Sequence, residues 1–171
     1  METWDAIRSR RNVRTFADRP VGEPDLERIL EAARRTPSSS NRQRWDFVVV
    51  TDRDRLQRLS GVWRGAQHVA RSAATIALIA PLATDAHTRE SIHYDLGQAT
   101  MSIMLAAADA GVGSGHAAVE NQELAREILG FPEDHFCAWL IALGYPDDRP
   151  LRPVRTPDRR PWDEVVHRER W

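Results

Sequence analysis

The apolar positions along the chain fall into two kinds of run. Residues 46–51, 75–80 and 137–143 are short and almost continuously apolar, the pattern of strands buried on both faces, and a further short strand is read near 116–119. Elsewhere apolar residues recur at helical spacing, which predicts helices over 3–10, 24–35, 53–60, part of 63–71, 91–110 and 121–129. The alternation reads as one α/β domain over residues 1–171, with no internal repeat and no linker before Pro146. Beyond it, Pro150, Pro153 and Pro157 punctuate an arginine-rich stretch that cannot continue as helix. Residues 146–171 are therefore expected to form a tail draped over another surface.

The stretch 91–110 carries Leu96, Ala99, Met101, Ile103, Met104, Leu105, Ala106, Ala107 and Ala108, apolar on nearly every side. Such a helix is buried. A thin domain has difficulty covering all of it, so it is expected to pack against its own copy in a homodimer; the alternative is the central core helix of a monomer.

Composition narrows the classes. The 171 residues, 42% hydrophobic and 29% charged, suit one globular domain with a sizeable core. A net charge of -1 gives no reason to expect nucleic acid or an anionic membrane surface as partner. No apolar run approaches the roughly 20 residues that span a bilayer, and Met-Glu-Thr-Trp-Asp lacks the basic and apolar regions of a signal peptide. The expected location is cytoplasmic. Cys137, the single cysteine, lies in an apolar run and reads as a buried, inert thiol. His87 and His93 stand six apart without a supporting cluster, so no metal site is expected. Nor is there a Gly-x-Ser-x-Gly elbow or a Cys/His nucleophile pair.

Three segments carry candidate chemistry. Pro37-Ser38-Ser39-Ser40-Asn41-Arg42-Gln43-Arg44-Trp45 runs straight into an apolar strand, and its hydroxyls and amides serve either the local turn or an amide-rich anionic ligand. Arginines cluster at Arg10, Arg11 and Arg14 and again at Arg159 and Arg160; guanidinium forks suit phosphate oxygens, so both ends of the chain can converge on one phosphate. Every one of the 24 basic residues is Arg, which fits a GC-rich coding bias, and most, Arg53 among them, read as surface charge. Gly111-Val112-Gly113-Ser114-Gly115 follows a helix and precedes a strand, the reverse of a dinucleotide fingerprint; it reads as a helix cap and tight turn with glycines at positive φ.

Taken in order, Arg-Arg-Asn-Val-Arg-Thr-Phe, Pro-Ser-Ser-Ser-Asn-x-Gln-x-Trp, Gly-Val-Gly-Ser-Gly, Ala-Leu-Gly-Tyr-Pro and Arg-Pro-Trp-Asp-Glu-Val-Val-His resemble the nitroreductase family of FMN-dependent oxidoreductases, over about residues 7–171. Arg44 stands where that family usually has proline. The resemblance implies a three-layer α/β (α+β) fold with a central mixed sheet flanked by helices. It also implies an intertwined homodimer with FMN at the interface and residues 146–171 crossing to the partner. Hydride would pass from NADH or NADPH through flavin N5 to a nitroaromatic, quinone or enone, with no catalytic side chain. In this resemblance Arg10, Arg11 and Arg159, with Arg160, hold the phosphate, and Asn12, Pro37, Ser38, Ser39, Ser40 and Asn41 hold ribityl and ring polar atoms. Gln43 either joins them or is a strand-edge residue. Arg14 lies at the flavin N1 and O2 edge, His116, Ala117, Ala118 and Val119 line the ring, and His68 is a weaker candidate near its pyrimidine end. Two other readings stay open: a flavin or deazaflavin binding protein without turnover, and an interaction module whose arginines are only surface charge.

Overall fold

The structure, a computed structural model, describes residues 1–171. Its centre is a pair of long apolar strands, β2 (Ala74–Pro81) and β4 (His135–Gly144), flanked by β1 (Asp46–Val50) and β3 (Gly113–Ala118) in the order β1–β2–β4–β3. Continuous apolar sequence is used as expected: β2 is buried along both faces, whereas the edge strand β1 is only half-buried. All three strand pairings are antiparallel. The expected mixed sheet therefore reduces to a single parallel bridge between Asn12 and Ser114 at the β3 edge.

Helices cover both faces and give three layers. On one face α3 (Arg53–Leu59), α5 (Gln122–Leu129) and the 3-10 turn Gln67–Arg71 place Leu56, Leu59, Val69, Ala125 and Ile128 in one core with Ala77, Ile79 and Leu140. On the other, α2 (Glu23–Arg34) and α4 (Ala86–Asp109) bring Leu26, Ile29, Leu96, Ile103 and Ala107 to Ile76, Leu78, Ile141 and Leu143. The short helix α1 (Thr3–Ser9) packs against α4. The helical expectation within 63–71 shrinks to that 3-10 turn, and in the turn before it a Cβ at Gly65 would lie 2.1 Å from the Trp63 ring.

Helix α4 begins five residues before the sequence pattern, where Asp85 accepts the Thr88 amide at 2.9 Å and caps it. Its apolar surface is mostly covered within the chain: Ile92, Leu96, Ala99, Ile103, Met104 and Ala107 are buried. One domain thus covers most of this helix but not every side of it. An outward stripe remains, with Tyr94 71% and Met101 44% exposed, continued by Trp4 and Ile7 of α1.

Of the glycines expected at positive φ, only Gly111 is, at +72°, ending α4. Gly113 and Gly115 are instead strand residues, needed because the segment around Val13 crosses them closely: a Cβ on Gly113 would lie 2.7 Å from Val13 Cγ2, and one on Gly115 would lie 2.2 Å from the Val13 carbonyl oxygen. A backbone oxygen cannot move aside as a side chain can. Gly115→Ala is expected to lower unfolding free energy by about 1–3 kcal/mol or more, the cost of overpacking a tight site; urea denaturation of the variant checks this.

Candidate active site

The first helix delivers the N-terminal arginines. α1 stops at Arg10, which turns extended (φ −61°, ψ 127°), and the chain then runs beside β3, with the Val13 amide donating to the Ser114 carbonyl at 2.9 Å. The tail returns to the same place: Val154 N–H donates to the Arg8 carbonyl at 3.0 Å. Together they form a cleft of about 700 Å³ lined by Arg8, Arg10, Arg11, Asn12, Arg155 and Arg159, with Trp4, Ile7, Met101 and Leu105 as apolar wall and Asp158 as the one carboxylate. The two arginine clusters, some 150 positions apart, are thus brought to one concavity.

Two of the expected phosphate ligands are otherwise engaged. Arg11 Nη2 donates to Asp148 Oδ1 and to the Arg149 carbonyl, both at 2.6 Å, so this guanidinium anchors the turn after β4. Its hydrogen bond holds the Asp148 carboxyl below its ordinary range. Arg160 bonds Glu164 and does not line the cleft. Arg53 is also more than surface charge, since it donates to the carbonyls of Ser72 and Ala70.

The serine loop occupies a different concavity, of about 550 Å³, formed by Pro37, Ser38 and Ser39 against His87, Glu90, Ser91, Tyr94, Asp95 and Gln98 of α4. Ser40, Asn41 and Gln43 all lie at positive φ, +51°, +52° and +49°, an arrangement that non-glycine residues adopt at an energetic cost and that clusters at functional sites. Ser38 Oγ accepts the Gln43 amide at 2.9 Å, and the Ser39 amide donates to both oxygens of Asp95 at 3.1 Å. The loop meets α4 at Asp95, the arginine cleft meets it at Met101 and Leu105, and the two concavities share no residue. Six to ten helical residues separate them by roughly 9–15 Å along the axis.

Strand β3 supplies the third part. His116 and Ala118 are half-buried on the α4 side of the sheet, and His116 stands edge-on to Trp139 with ring centroids 5.7 Å apart. The His116 Nδ1 is buried without a partner. Ala117 points the other way, its methyl belonging to the core under α3 and α5, so its side chain is not available to line a ligand as expected; Val119 also packs toward that core. Beneath the strand, His68 Nε2 lies 3.2 Å from the Gly115 carbonyl.

Burial, and then the charge of Arg14, hold both imidazoles below their ordinary value of 6.5, although hydrogen bonding to the Gly115 carbonyl opposes this at His68. Each ring is neutral in the fold where the unfolded chain would protonate. Their stability contribution is therefore present above about pH 6.5 and lost as pH falls through the lower folded values. Unfolding free energy is expected to fall on going from about pH 7.5 to about pH 5, and His68→Gln should flatten that slope. Denaturation midpoints at several pH values check this. Cys137, read as inert, is buried and its thiol is pushed up to about 12 by burial.

Asp95 and Trp139 were not singled out by sequence. For Asp95 a signal existed: it shares the inward spacing of Ile92, Leu96 and Ala99, where a carboxylate is out of place. Trp139 lies inside an apolar run and offers none.

Comparison with known proteins identifies the family. Residues 7–74 and 58–145 match the model of the nitroreductase family. A protein from Archaeoglobus fulgidus assigned as NADH dehydrogenase/NAD(P)H nitroreductase is 34% identical over 174 residues, 99% of each chain. The FMN reductase [NAD(P)H] of Bacillus subtilis is 26% identical over 98% of this chain and 74% of its own. The solved structure of an FMN-dependent nitroreductase from Clostridium difficile R20291 superposes with a TM-score of 0.84 at 26% identity, over 97% of this chain and 98% of that one. With its full length matched by such relatives and its layers by their fold, the chain belongs to the nitroreductase family.

Proposed function

We propose that the protein is an FMN-dependent oxidoreductase that takes hydride from NADH or NADPH and passes it to a nitroaromatic, quinone or enone. The observation that carries this reading is the convergence of Arg10 and Arg159, from opposite ends of the chain, with Asn12 in one cleft. Both arginines line the cleft, whose one carboxylate is Asp158, and although Arg159 Nη1 donates to the Asp158 carbonyl its remaining N–H groups stay unused, a donor set that fits a phosphate monoester. Bound FMN would supply the hydride acceptor and donor at N5. Asn12 would bind the ribityl hydroxyls, and Arg14 would place positive charge at the N1 and O2 edge. His116 and Ala118 would form the wall beside the ring, with the unpartnered His116 Nδ1 available to a polar ring atom. Apolar Met101 and Leu105 would exclude water.

The working unit in this proposal is a homodimer, with residues 146–171 crossing to the partner. Three observations support it: the exposed stripe of Trp4, Ile7, Tyr94 and Met101, the exposed tail side chains Trp162, Val165 and Trp171, and the separation of the serine loop from the arginine cleft within one chain. A second copy would bring a serine loop to each cleft. No helix is long and apolar enough to cross a membrane; the proposed setting is the cytoplasm, where nicotinamide nucleotides are supplied.

The test is anaerobic. Adding NADPH or NADH to FMN-loaded protein is expected to bleach the flavin's visible absorption, and a quinone added afterwards should restore it, with ping-pong kinetics in steady state. Flavin that binds but stays oxidised under both donors would replace this reading with that of a binding protein or a deazaflavin-dependent one.

A further inference from the structure

We infer that Asp95 is a positioning residue for the active site, holding the serine loop in its strained, ligand-facing shape from the buried face of α4; the purpose assigned to it rests on the flavin reading above. The residue is only 2% exposed and shares the buried side of α4 with Ile92, Leu96 and Ala99, at the base of the serine-loop concavity, where a charge carries a desolvation cost that an apolar residue would avoid. Its two oxygens, with room for about four hydrogen bonds, share one donor, the Ser39 amide, at 3.1 Å each.

That bond joins the loop to the scaffold. Most of the loop's other hydrogen bonds run within itself, Asn41 N–H to the Ser38 carbonyl, Arg42 N–H to the Ser39 carbonyl, Gln43 N–H to Ser38 Oγ and the Gln43 side-chain amide to the Asn41 carbonyl, while Trp45 N–H to the Gln43 carbonyl joins only its C-terminal end to the next residues of the chain. Such bonds set the loop's internal form but not its position. With Ser40, Asn41 and Gln43 all in left-handed backbone, the loop has ready relaxation routes, and the distant tie at Asp95 opposes them. A rigid helix holding a strained loop by a buried charge is how a binding geometry is kept ready before the ligand arrives.

Asp95→Asn tests this, because it keeps size and one acceptor while removing the charge. Amide hydrogen exchange of the flavin-free variant should show the 38–43 segment exchanging about tenfold faster, with α2, β2 and β4 as protected as in the wild type. FMN should bind about tenfold more weakly, and the bound flavin's visible spectrum should shift toward that of free flavin. Thermal unfolding should change little, since removing a buried charge offsets the weaker bond. Unchanged exchange at 38–43 with unchanged FMN affinity would overturn the inference. Exchange accelerated equally throughout the chain would also overturn it, by showing a general core role. If the wild type itself binds no FMN while the variant's loop still exchanges faster, the flavin reading fails and the tie stands as a loop anchor without the assigned purpose.

Discussion

Replacing Arg10 or Arg159 with Ala is expected to weaken FMN binding by about 1.5–3 kcal/mol each, the range for hydrogen bonds to charged groups, or roughly tenfold to a hundredfold in Kd. Both residues line one cleft although they are separated by almost the whole chain. Shared contact with a phosphate would therefore be a consequence of the fold and not of arginine abundance. Riboflavin, which lacks the phosphate, should bind poorly to the wild type and be nearly indifferent to both substitutions. Arg64, exposed and without a partner, is the control whose replacement should matter little. Arg11→Ala is expected to act differently, loosening the turn at Asp148 and Arg149 and so affecting both ligands. Isothermal titration with FMN and riboflavin separates these outcomes; equal losses for the two ligands at Arg10 would assign that arginine to the fold instead of the phosphate.

Ile103→Ala should lower unfolding free energy by about 2–5 kcal/mol, the cost of a large-to-small change in a packed core, because Ile103 is fully buried between α4 and the sheet. Met101, two residues earlier on the same helix, points outward. Met101→Ala is expected to leave monomer packing nearly intact while weakening self-association, seen as a shift toward monomer in sedimentation and a stronger dependence of thermal unfolding on protein concentration. Equal stability losses at the two positions, with association unchanged, would mean that the outward stripe has no partner copy.

These two positions show where sequence reading reaches its limit. Periodicity identified α4 as apolar nearly all round, but a single helix pattern does not say which neighbour covers which side. The inward side proved to be covered by α2, α1 and the sheet, leaving the stripe at Tyr94 and Met101. The glycines after α4 teach the same lesson. Gly-rich sequence after a helix reads as a turn, yet Gly113 and Gly115 are extended, and their lack of a side chain answers to Val13, a hundred residues away.

The serine loop was legible as a candidate site because Pro, Ser and Asn interrupt a helix and meet a strand directly, and the arginine clusters because their chemistry suits phosphate. Their roles were only partly legible. Arg10, Arg11 and Arg159 line one cleft, but Arg11 is also held by Asp148, and Arg160 is paired with Glu164 outside it, a difference between neighbouring residues of identical type. Ala117 and Ala118 differ likewise, because successive residues of a strand face opposite sides, and Ala117 faces the core under α3 and α5.

By itself the sequence determined what is local or periodic: the apolar runs that become β2 and β4, the helical spacing of α2, α3 and α5, the proline-punctuated tail and the ordered motifs of the family. These depend on each residue's own backbone preference and on burial at a fixed repeat. Tertiary structure alone decided what depends on distance through space. It set the antiparallel order of the sheet, brought Arg10 and Arg159 to one cleft, and placed Asp95 beneath Ser39, because long-range contacts are chosen by mutual fit of whole elements and no single segment encodes them.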